Sequence, residues 1–374
     1  MTVGGRTIRL IKLRTATVLI ILLLVPFFSC RDDGVKLGFS SQLSGPGGTP
    51  NTIVRNGFVL FIDQYNREAE RRIELLVRDD MGRADKALEI DRELVQAGVE
   101  AIVGHTTSEM SAASLDFING EKVVMLSPTS SAQNLMERDD YFFTLYPSNE
   151  VLAGKAADFA YQKLGLRRIA AVVDNFNRLY SENYFQQFQT EFEARGGRII
   201  SKYEYNSEED NSFEEIAAEA LASDPDGVFI MAASLDTALF AQQLYKERRA
   251  VPIVASDWAA YRELIEQGGP YVENIYLANL YADFQPGDEY SRFLDDYFGR
   301  YNRRATMGAA IGFETAMVIS QALERRKPGE DLKQTLLRES FEGLQGTIEF
   351  NRYGDVKREV FIKTIRDGEF VNVE

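Results

Sequence analysis

The sequence has little of the residues that carry covalent and metal chemistry, with one cysteine, one histidine and one tryptophan among 374 residues. One cysteine excludes an internal disulfide, so the fold must be held by packing. One cysteine and one histidine do not supply the ligand set of a zinc site, and we expect no bound metal. Neither a P-loop nor a G-x-G-x-x-G motif follows a predicted strand, so we also expect no cofactor.

Side chains suited to catalysis are equally scarce. His105 is the only residue that could act as the general base of a serine hydrolase, and no G-x-S-x-G elbow is present. A structural or hydrogen-bonding histidine is therefore favoured. The adjacent acids Asp79 and Asp80 would point to opposite faces of a strand, which favours a solvated strand end over acid–base or metal chemistry. We expect a protein that is not an enzyme.

The sequence also lacks a basic stripe, since its formal net charge is −15. A surface that binds nucleic acid needs clustered lysine and arginine, so nucleic acid is excluded as a partner. Hydrophobic residues make up 45% of the chain, which is enough for the buried cores of two domains.

The first 29 residues differ from the rest of the chain. They carry four basic residues and no acid, so their removal takes the net charge from −15 to −19. An apolar stretch from Thr15 to Phe28 follows the basic residues, as in a secretory signal, and is too short for a membrane span. Ser29-Cys30 resembles a bacterial lipobox. We expect residues 1–29 to be cleaved, residues 30–34 to form a tether, and lipidated Cys30 to anchor an exported protein to the membrane; the alternative is an ordinary thiol.

From Val35 onward, short apolar runs alternate with amphipathic stretches, which is the pattern of βαβ units. We expect a helix capped by Asp85 and stopped by Gly98, and strands ending near Val103, Leu126 and Leu145. A second series of strands and helices begins after Pro147. The predicted fold is α/β, with two Rossmann-like lobes whose parallel-type sheets are flanked by helices.

Two helices and a closing β segment, residues 346–373, follow the second series. A chain that builds its second lobe and then returns crosses between the lobes several times, which favours a hinge over a flexible tether. The expected boundaries are residues 35–146 plus 281–344 for lobe 1, and residues 147–280 plus 345–374 for lobe 2.

The segments that follow the predicted strands are rich in hydroxyl groups. Gly104-His105-Thr106-Thr107-Ser108 follows one strand and opens a helix, whose free N–H groups and dipole favour an anion. Ser127-Pro128-Thr129-Ser130-Ser131 follows the next strand, and Asp257-Trp258 follows a strand of the second lobe. Ligands of open α/β sheets bind at such strand ends. Each residue also has an alternative role as a cap, turn or packing residue.

These segments, with Ser44-Gly45-Pro46 and the closing Phe350-Asn351-Arg352-Tyr353-Gly354-Asp355, resemble the leucine, isoleucine and valine family of type I periplasmic binding proteins. The resemblance covers nearly the whole chain from Val35. It implies that Ser108, with Thr107 as neighbour, binds a ligand carboxylate. It also implies that the Thr129 carbonyl and the Ser131 hydroxyl receive an amino group, that Asp257 completes the ammonium pocket, and that Tyr180, in the loop after a second-lobe strand, closes over the ligand.

The resemblance further implies a monomer that binds a small ligand, an amino acid that is branched-chain or related, and delivers it to the permease of an ABC transporter. The alternative is a ligand sensor or protein-interaction lipoprotein of the same fold that is not coupled to transport. Two departures concern the ligand's side chain, because Pro50 and Ser234 stand where the family often has aromatic residues. The loop after the strand that ends at Val173 also looks longer than usual.

Overall fold

A computed structural model describes residues 34–45, 48–247, 251–281 and 288–373. The predicted export signal and Cys30 lie outside these residues. Within the described ranges, no helix is both long and apolar enough to cross a membrane.

The first sheet has five parallel strands in the order β2-β1-β3-β4-β5. Its central strands are buried on both faces, as expected for strands covered by helices. The strands are β1 Val35–Ser41, β2 Ile73–Asp79, β3 Ala101–Gly104, β4 Val124–Ser127 and β5 Phe142–Thr144.

The second sheet has seven strands in the order β14-β13-β10-β9-β8-β6-β7. Strands β6 to β10 are parallel, whereas β13 and β14 are antiparallel additions at one edge. A separate two-stranded sheet pairs β11 with β12. The strands are β6 Arg168–Asp174, β7 Arg198–Tyr205, β8 Gly227–Met231, β9 Ile253–Ala255, β10 Ile275–Asn279, β11 Phe341–Gly343, β12 Gly346–Ile348, β13 Phe361–Arg366 and β14 Glu369–Asn372.

Helices connect the strands and bury their apolar faces. In Ala84–Gln96, for example, Ala87, Ile90 and Leu94 are buried at helical spacing. The helices are α1 Gly48–Glu68, α2 Ala84–Gln96, α3 Ser108–Glu121, α4 Asn149–Gln162, α5 Arg178–Ala194, α6 Phe213–Ala222, α7 Ser234–Lys246, α8 Arg262–Gly268, α9 Asp288–Tyr301, α10 Met307–Arg325 and α11 Leu332–Arg338.

Helices α1 and α10 cross at very short range because each has a glycine at the crossing. A Cβ atom at Gly57 would lie 1.9 Å from the carbonyl oxygen of Ala309, and one at Gly312 would lie 2.0 Å from that of Val54. Only residues without side chains allow this approach. The contact packs α10, which follows the second series of strands along the chain, against α1 of the first series.

The predicted α/β architecture with mostly parallel sheets is confirmed. Strands β12, β13 and β14 lie within the predicted closing β segment; β12 pairs with β11, while β13 and β14 join the second sheet. Two local predictions are wrong. Helix α2 has Arg83 at its N-cap, because the Asp85 side chain pairs with Arg83 instead of capping the helix. Tyr180 lies in the first turn of α5, so the preceding loop is short. The lobe boundaries stay a prediction.

Candidate functional site

A cavity of about 70 Å³ is lined by residues from the carboxyl ends of strands in both sheets. Strands β3 and β4 of the first sheet lead to Thr107 and Thr129, and strands β6 and β9 of the second lead to Tyr180 and Asp257. Open parallel sheets bind ligands beyond these ends. The cavity lining includes five of the six residues predicted to bind the ligand: Thr107, Ser108, Thr129, Tyr180 and Asp257.

Ser131 does not line the cavity. Its buried hydroxyl donates to Oδ1 of Asn149, the first residue of α4, at 2.7 Å. Its backbone N–H donates to the hydroxyl oxygen of Ser108 at 3.2 Å. Ser131 therefore contacts a lining residue through its backbone, while its side chain is already paired elsewhere.

The N-terminus of α3 forms one side of the cavity. Thr107 is the N-cap, but its side chain makes no capping hydrogen bond. The hydroxyl oxygen of Ser108 accepts the N–H groups of Ser131 and Ala132, each at 3.2 Å, so its own proton stays available to an acceptor. The first N–H groups of a helix have no partner within it, and the helix dipole favours negative charge there. This side of the cavity suits a carboxylate.

Thr129 presents its main chain beside this helix end. Its hydroxyl donates to the carbonyl oxygen of Thr106 at 2.7 Å, which ties the segment after β4 to the segment after β3. The carbonyl oxygen of Thr129 accepts no hydrogen bond from the part of the chain that the structure describes. It can accept a hydrogen bond from a ligand.

Asp257 supplies negative charge from the second sheet. It begins a 3-10 turn, Asp257–Ala259, directly after Ser256, and is 5% exposed. Its Oδ2 accepts the hydroxyl of Tyr146 at 2.7 Å and its Oδ1 accepts that of Tyr180 at 2.8 Å. No lysine or arginine in the described ranges pairs with it. Burial raises the pKa of Asp257 although the two hydroxyl groups stabilise its ionised form.

Aromatic rings surround this carboxylate. The ring of Tyr180 meets Trp258 edge-on with centroids 6.0 Å apart, and Tyr261 also lines the cavity. Burial, followed by the charge of Asp257, raises the pKa of Tyr146 and Tyr180 well above the ordinary value, so both remain hydrogen-bond donors at neutral pH. Aromatic rings beside a buried carboxylate suit a cation.

A larger cleft of about 710 Å³ adjoins the cavity and shares four lining residues with it: Pro50, Phe176, Trp258 and Tyr261. Ser234 lines this cleft from the start of α7. Both positions at which the sequence departs from the family pattern therefore border the adjoining cleft.

Sequence reasoning missed Tyr146, Tyr261 and Met307, which also line the cavity. Tyr146 follows β5 and could have been found by applying the strand-end rule to that strand. Met307 lies at the start of α10, some 50 residues beyond Asp257 along the chain, and no local signal in the sequence places it here.

His105 does not line the cavity. It is fully buried between the carboxylates of Asp80 and Asp91, which confirms a hydrogen-bonding histidine. The prediction that Asp79 and Asp80 form a solvated strand end is wrong for Asp80, which is fully buried. The Asp79 carboxylate accepts hydrogen bonds from the N–H groups of Leu43 and Met81.

The chain belongs to the periplasmic binding protein family, whose model matches residues 34–369. The leucine-, isoleucine-, valine-, threonine- and alanine-binding protein of Pseudomonas aeruginosa is 19% identical over 336 residues, covering 88% of this chain and 89% of that protein. The Leu/Ile/Val-binding protein BraC3 of Rhizobium johnstonii is 21% identical over 94% of this chain and 96% of that protein.

Solved structures share the fold at similarly low identity. The branched-chain amino acid substrate-binding protein of Streptococcus pneumoniae, in complex with isoleucine, has a TM-score of 0.82 and 21% identity, covering 91% of this chain and 99% of that one. A solute-binding protein of Rhodopseudomonas palustris, in complex with 3,4-dihydroxy benzoic acid, also has a TM-score of 0.82, with 18% identity and coverage of 91% and 96%. One fold thus accommodates ligands with and without an amino group.

Proposed function

We propose that this protein binds a free amino acid between its two sheets and delivers it to an ABC transporter. The observation that carries the proposal is the buried carboxylate of Asp257, which has two hydroxyl donors and no cationic partner in the described part of the chain. A buried anion is costly unless it is paired, and a ligand ammonium group would supply the missing charge.

The opposite side of the cavity favours the other end of such a ligand. The N-terminus of α3, with Thr107 and the hydroxyl of Ser108, supports carboxylate binding, and the Thr129 carbonyl supports a further contact to the ammonium group. We therefore propose Thr107, Ser108, Thr129, Tyr180 and Asp257 as ligand-binding residues. Ser131 holds Ser108 in place through its backbone N–H.

The ligand's side chain would lie toward the adjoining cleft. The relatives named for leucine, isoleucine and valine support a branched-chain or related amino acid. Pro50 and Ser234 leave this side open, which supports a wider range of side-chain lengths. We propose that the backbone groups of the amino acid are selected strictly and its side chain loosely.

We also propose that residues 35–146 plus 281–344 and residues 147–280 plus 345–374 form two lobes that close over the ligand. The two large sheets, with α10 packed back against α1, support this division except at residues 345–356, because β12 pairs with β11 and Asp355 bridges to Thr144 of the first sheet. Closure would exclude water and strengthen the charge-assisted hydrogen bonds at both ends of the ligand.

A thermal-shift series tests the ligand class. Leucine, isoleucine and valine are compared with isocaproate, which lacks the amino group, with leucinamide, which lacks the carboxylate, and with dihydroxybenzoate. We expect only the free amino acids to stabilise the protein, because only they carry both an ammonium group and a carboxylate. A ligand at 100 times its dissociation constant stabilises a protein by about 2.7 kcal/mol. Equal stabilisation by isocaproate and leucine would contradict recognition of an ammonium group.

We further propose that Cys30 carries the lipid that holds the exported protein at the membrane. The basic and apolar segment before Ser29-Cys30 supports this. We expect Cys30→Ser to move the protein from the membrane fraction to the soluble extracytoplasmic fraction and to remove incorporation of labelled palmitate. A variant protein that stays in the membrane fraction would contradict lipid anchoring.

A further inference from the structure

The one histidine of the chain, His105, directly follows β3 of the first sheet and lies between two acids. Nδ1 of His105 is 2.7 Å from Oδ2 of Asp80, and Nε2 is 3.2 Å from Oδ2 of Asp91. All three side chains are fully buried. The remaining neighbours of the ring within hydrogen-bond distance are the hydroxyls of Ser40 on β1 and Ser114 on α3.

This geometry favours a doubly protonated ring. Where both carboxylates are ionised, each accepts a hydrogen bond, and only the imidazolium form donates from both ring nitrogens. A neutral ring would set a lone pair against one carboxylate and leave two buried acids without a counter-charge. Asp80, directly after β2, and Asp91, on α2, are the titratable groups that face the ring among the described residues.

The backbone of the same residue joins the two segments that line the carboxylate side of the cavity. The carbonyl oxygen of His105 accepts the hydroxyls of Ser127, Ser130 and Ser111 at 2.6, 3.1 and 3.4 Å. Thr107 and Ser108 follow directly in sequence. The position of His105 therefore sets both segment 105–108 and segment 127–131.

We propose that His105 is a positioning residue: as an imidazolium clamped between Asp80 and Asp91, it holds segments 105–108 and 127–131 in the arrangement that binds the ligand carboxylate. This role depends on the proposed function only for the identity of the ligand. The link between protonation of the ring and the arrangement of the two segments is independent of the proposed function. His105 acts through Ser108 and Thr129 and does not touch the ligand.

The shift in the pKa of His105 agrees with a protonated ring. Burial works against the charged ring, but Asp91 and Asp80 outweigh it and raise the pKa of His105 to about 9 from its ordinary value of 6.5. Because the folded-state pKa is the higher one, the stabilisation is complete below pH 6.5 and is lost as the pH rises through about 9.

Proton–nitrogen correlation spectra of protein labelled at histidine give a single ring, which can be followed without assignment. We expect both ring nitrogens to be protonated at about pH 8, where an ordinary histidine is neutral. In a second sample, labelled uniformly with nitrogen-15 and assigned, we expect the amide signals of Ser131 and Ala132, which donate to Ser108, to shift with the same midpoint as the ring. A neutral ring at this pH, or amide signals that ignore its titration, would overturn the proposal.

Leucine affinity across the same pH range tests the consequence for binding. We expect Asp91→Asn to lower the titration midpoint of the His105 ring. The loss of leucine affinity should then begin at a correspondingly lower pH, and affinity should fall about tenfold per pH unit above that midpoint. The ligand's own ammonium group titrates equally with both proteins, so the comparison isolates the ring. Asp140→Asn, which removes another buried acid without contacting the ring, is the matched control and should leave the midpoint unchanged.

The NMR titration and the leucine-affinity series distinguish a wrong ligand from a wrong role for His105. If leucine does not bind at any pH while the amide signals follow the ring, the proposed ligand is wrong and the positioning role stands. If leucine binds equally to both proteins across the titration of the ring, the positioning role is overturned and the ligand stands.

Discussion

Replacing Asp257 by Asn should weaken amino-acid binding by about 2 to 5 kcal/mol, or ~30-fold to several thousand-fold. The amide keeps the shape of the side chain and can still meet the hydroxyls of Tyr146 and Tyr180, but it removes the charge that faces the ligand ammonium. Isothermal titration calorimetry with leucine measures the change.

Asp140→Asn serves as the matched control, because Asp140 is also a buried acid whose pKa burial raises, and it does not line the cavity. Its affinity should equal that of the unmodified protein.

Affinity of the unmodified protein should also rise with pH through the raised pKa of Asp257, since only the ionised acid attracts an ammonium group. A binding curve unchanged by Asp257→Asn, at every pH, would remove Asp257 from the site.

Replacing Arg358 by Met should lower the free energy of unfolding by about 3 to 5 kcal/mol, because it leaves Glu314 buried and unpaired. Nη1 of Arg358 lies 2.7 Å from Oε2 of Glu314, and the carboxylate also accepts the hydroxyl of Tyr281 and the N–H of Leu344. Burial works against the charged guanidinium, but Glu314 outweighs it and raises the pKa of Arg358. Urea denaturation measures the loss.

The double variant Glu314→Leu with Arg358→Met should recover most of this loss, because no uncompensated charge remains. Arg178→Met, which breaks an exposed pair with Glu182, should leave stability almost unchanged. A single Arg358→Met variant as stable as the unmodified protein would show that the buried pair contributes nothing to holding α10 against the segment before β13.

Strands were predictable to within a few residues because turn residues bound short apolar runs on both sides. The strands expected to end near Val103, Leu126 and Leu145 end at Gly104, Ser127 and Thr144. The seven-residue helices α8 and α11 went unpredicted, since two turns show too little periodicity. The start of α2 was misplaced because Asp85 has two possible uses, as a cap or as a partner of Arg83, and tertiary contacts decide between them.

The site was predictable as far as the strand-end rule reaches. That rule locates the segments holding Ser108, Thr129 and Asp257 without any knowledge of their neighbours. It does not give side-chain direction. The role of the Ser131 hydroxyl was expected from the family resemblance, whereas in the structure this hydroxyl pairs with Asn149. It also gives no partner distant in sequence, so the burial of Asp80 beside His105 could not be inferred from a strand that ends in two acids.

Trp258 is the only tryptophan in the chain, and it stands in the wall of the cavity with its ring edge-on to Tyr180. All indole emission from this protein therefore originates beside the proposed ligand site, with no background from elsewhere in the fold. Binding can be followed by intrinsic fluorescence in unlabelled protein, at stopped-flow speed, so that encounter and the proposed closure become separately measurable rates.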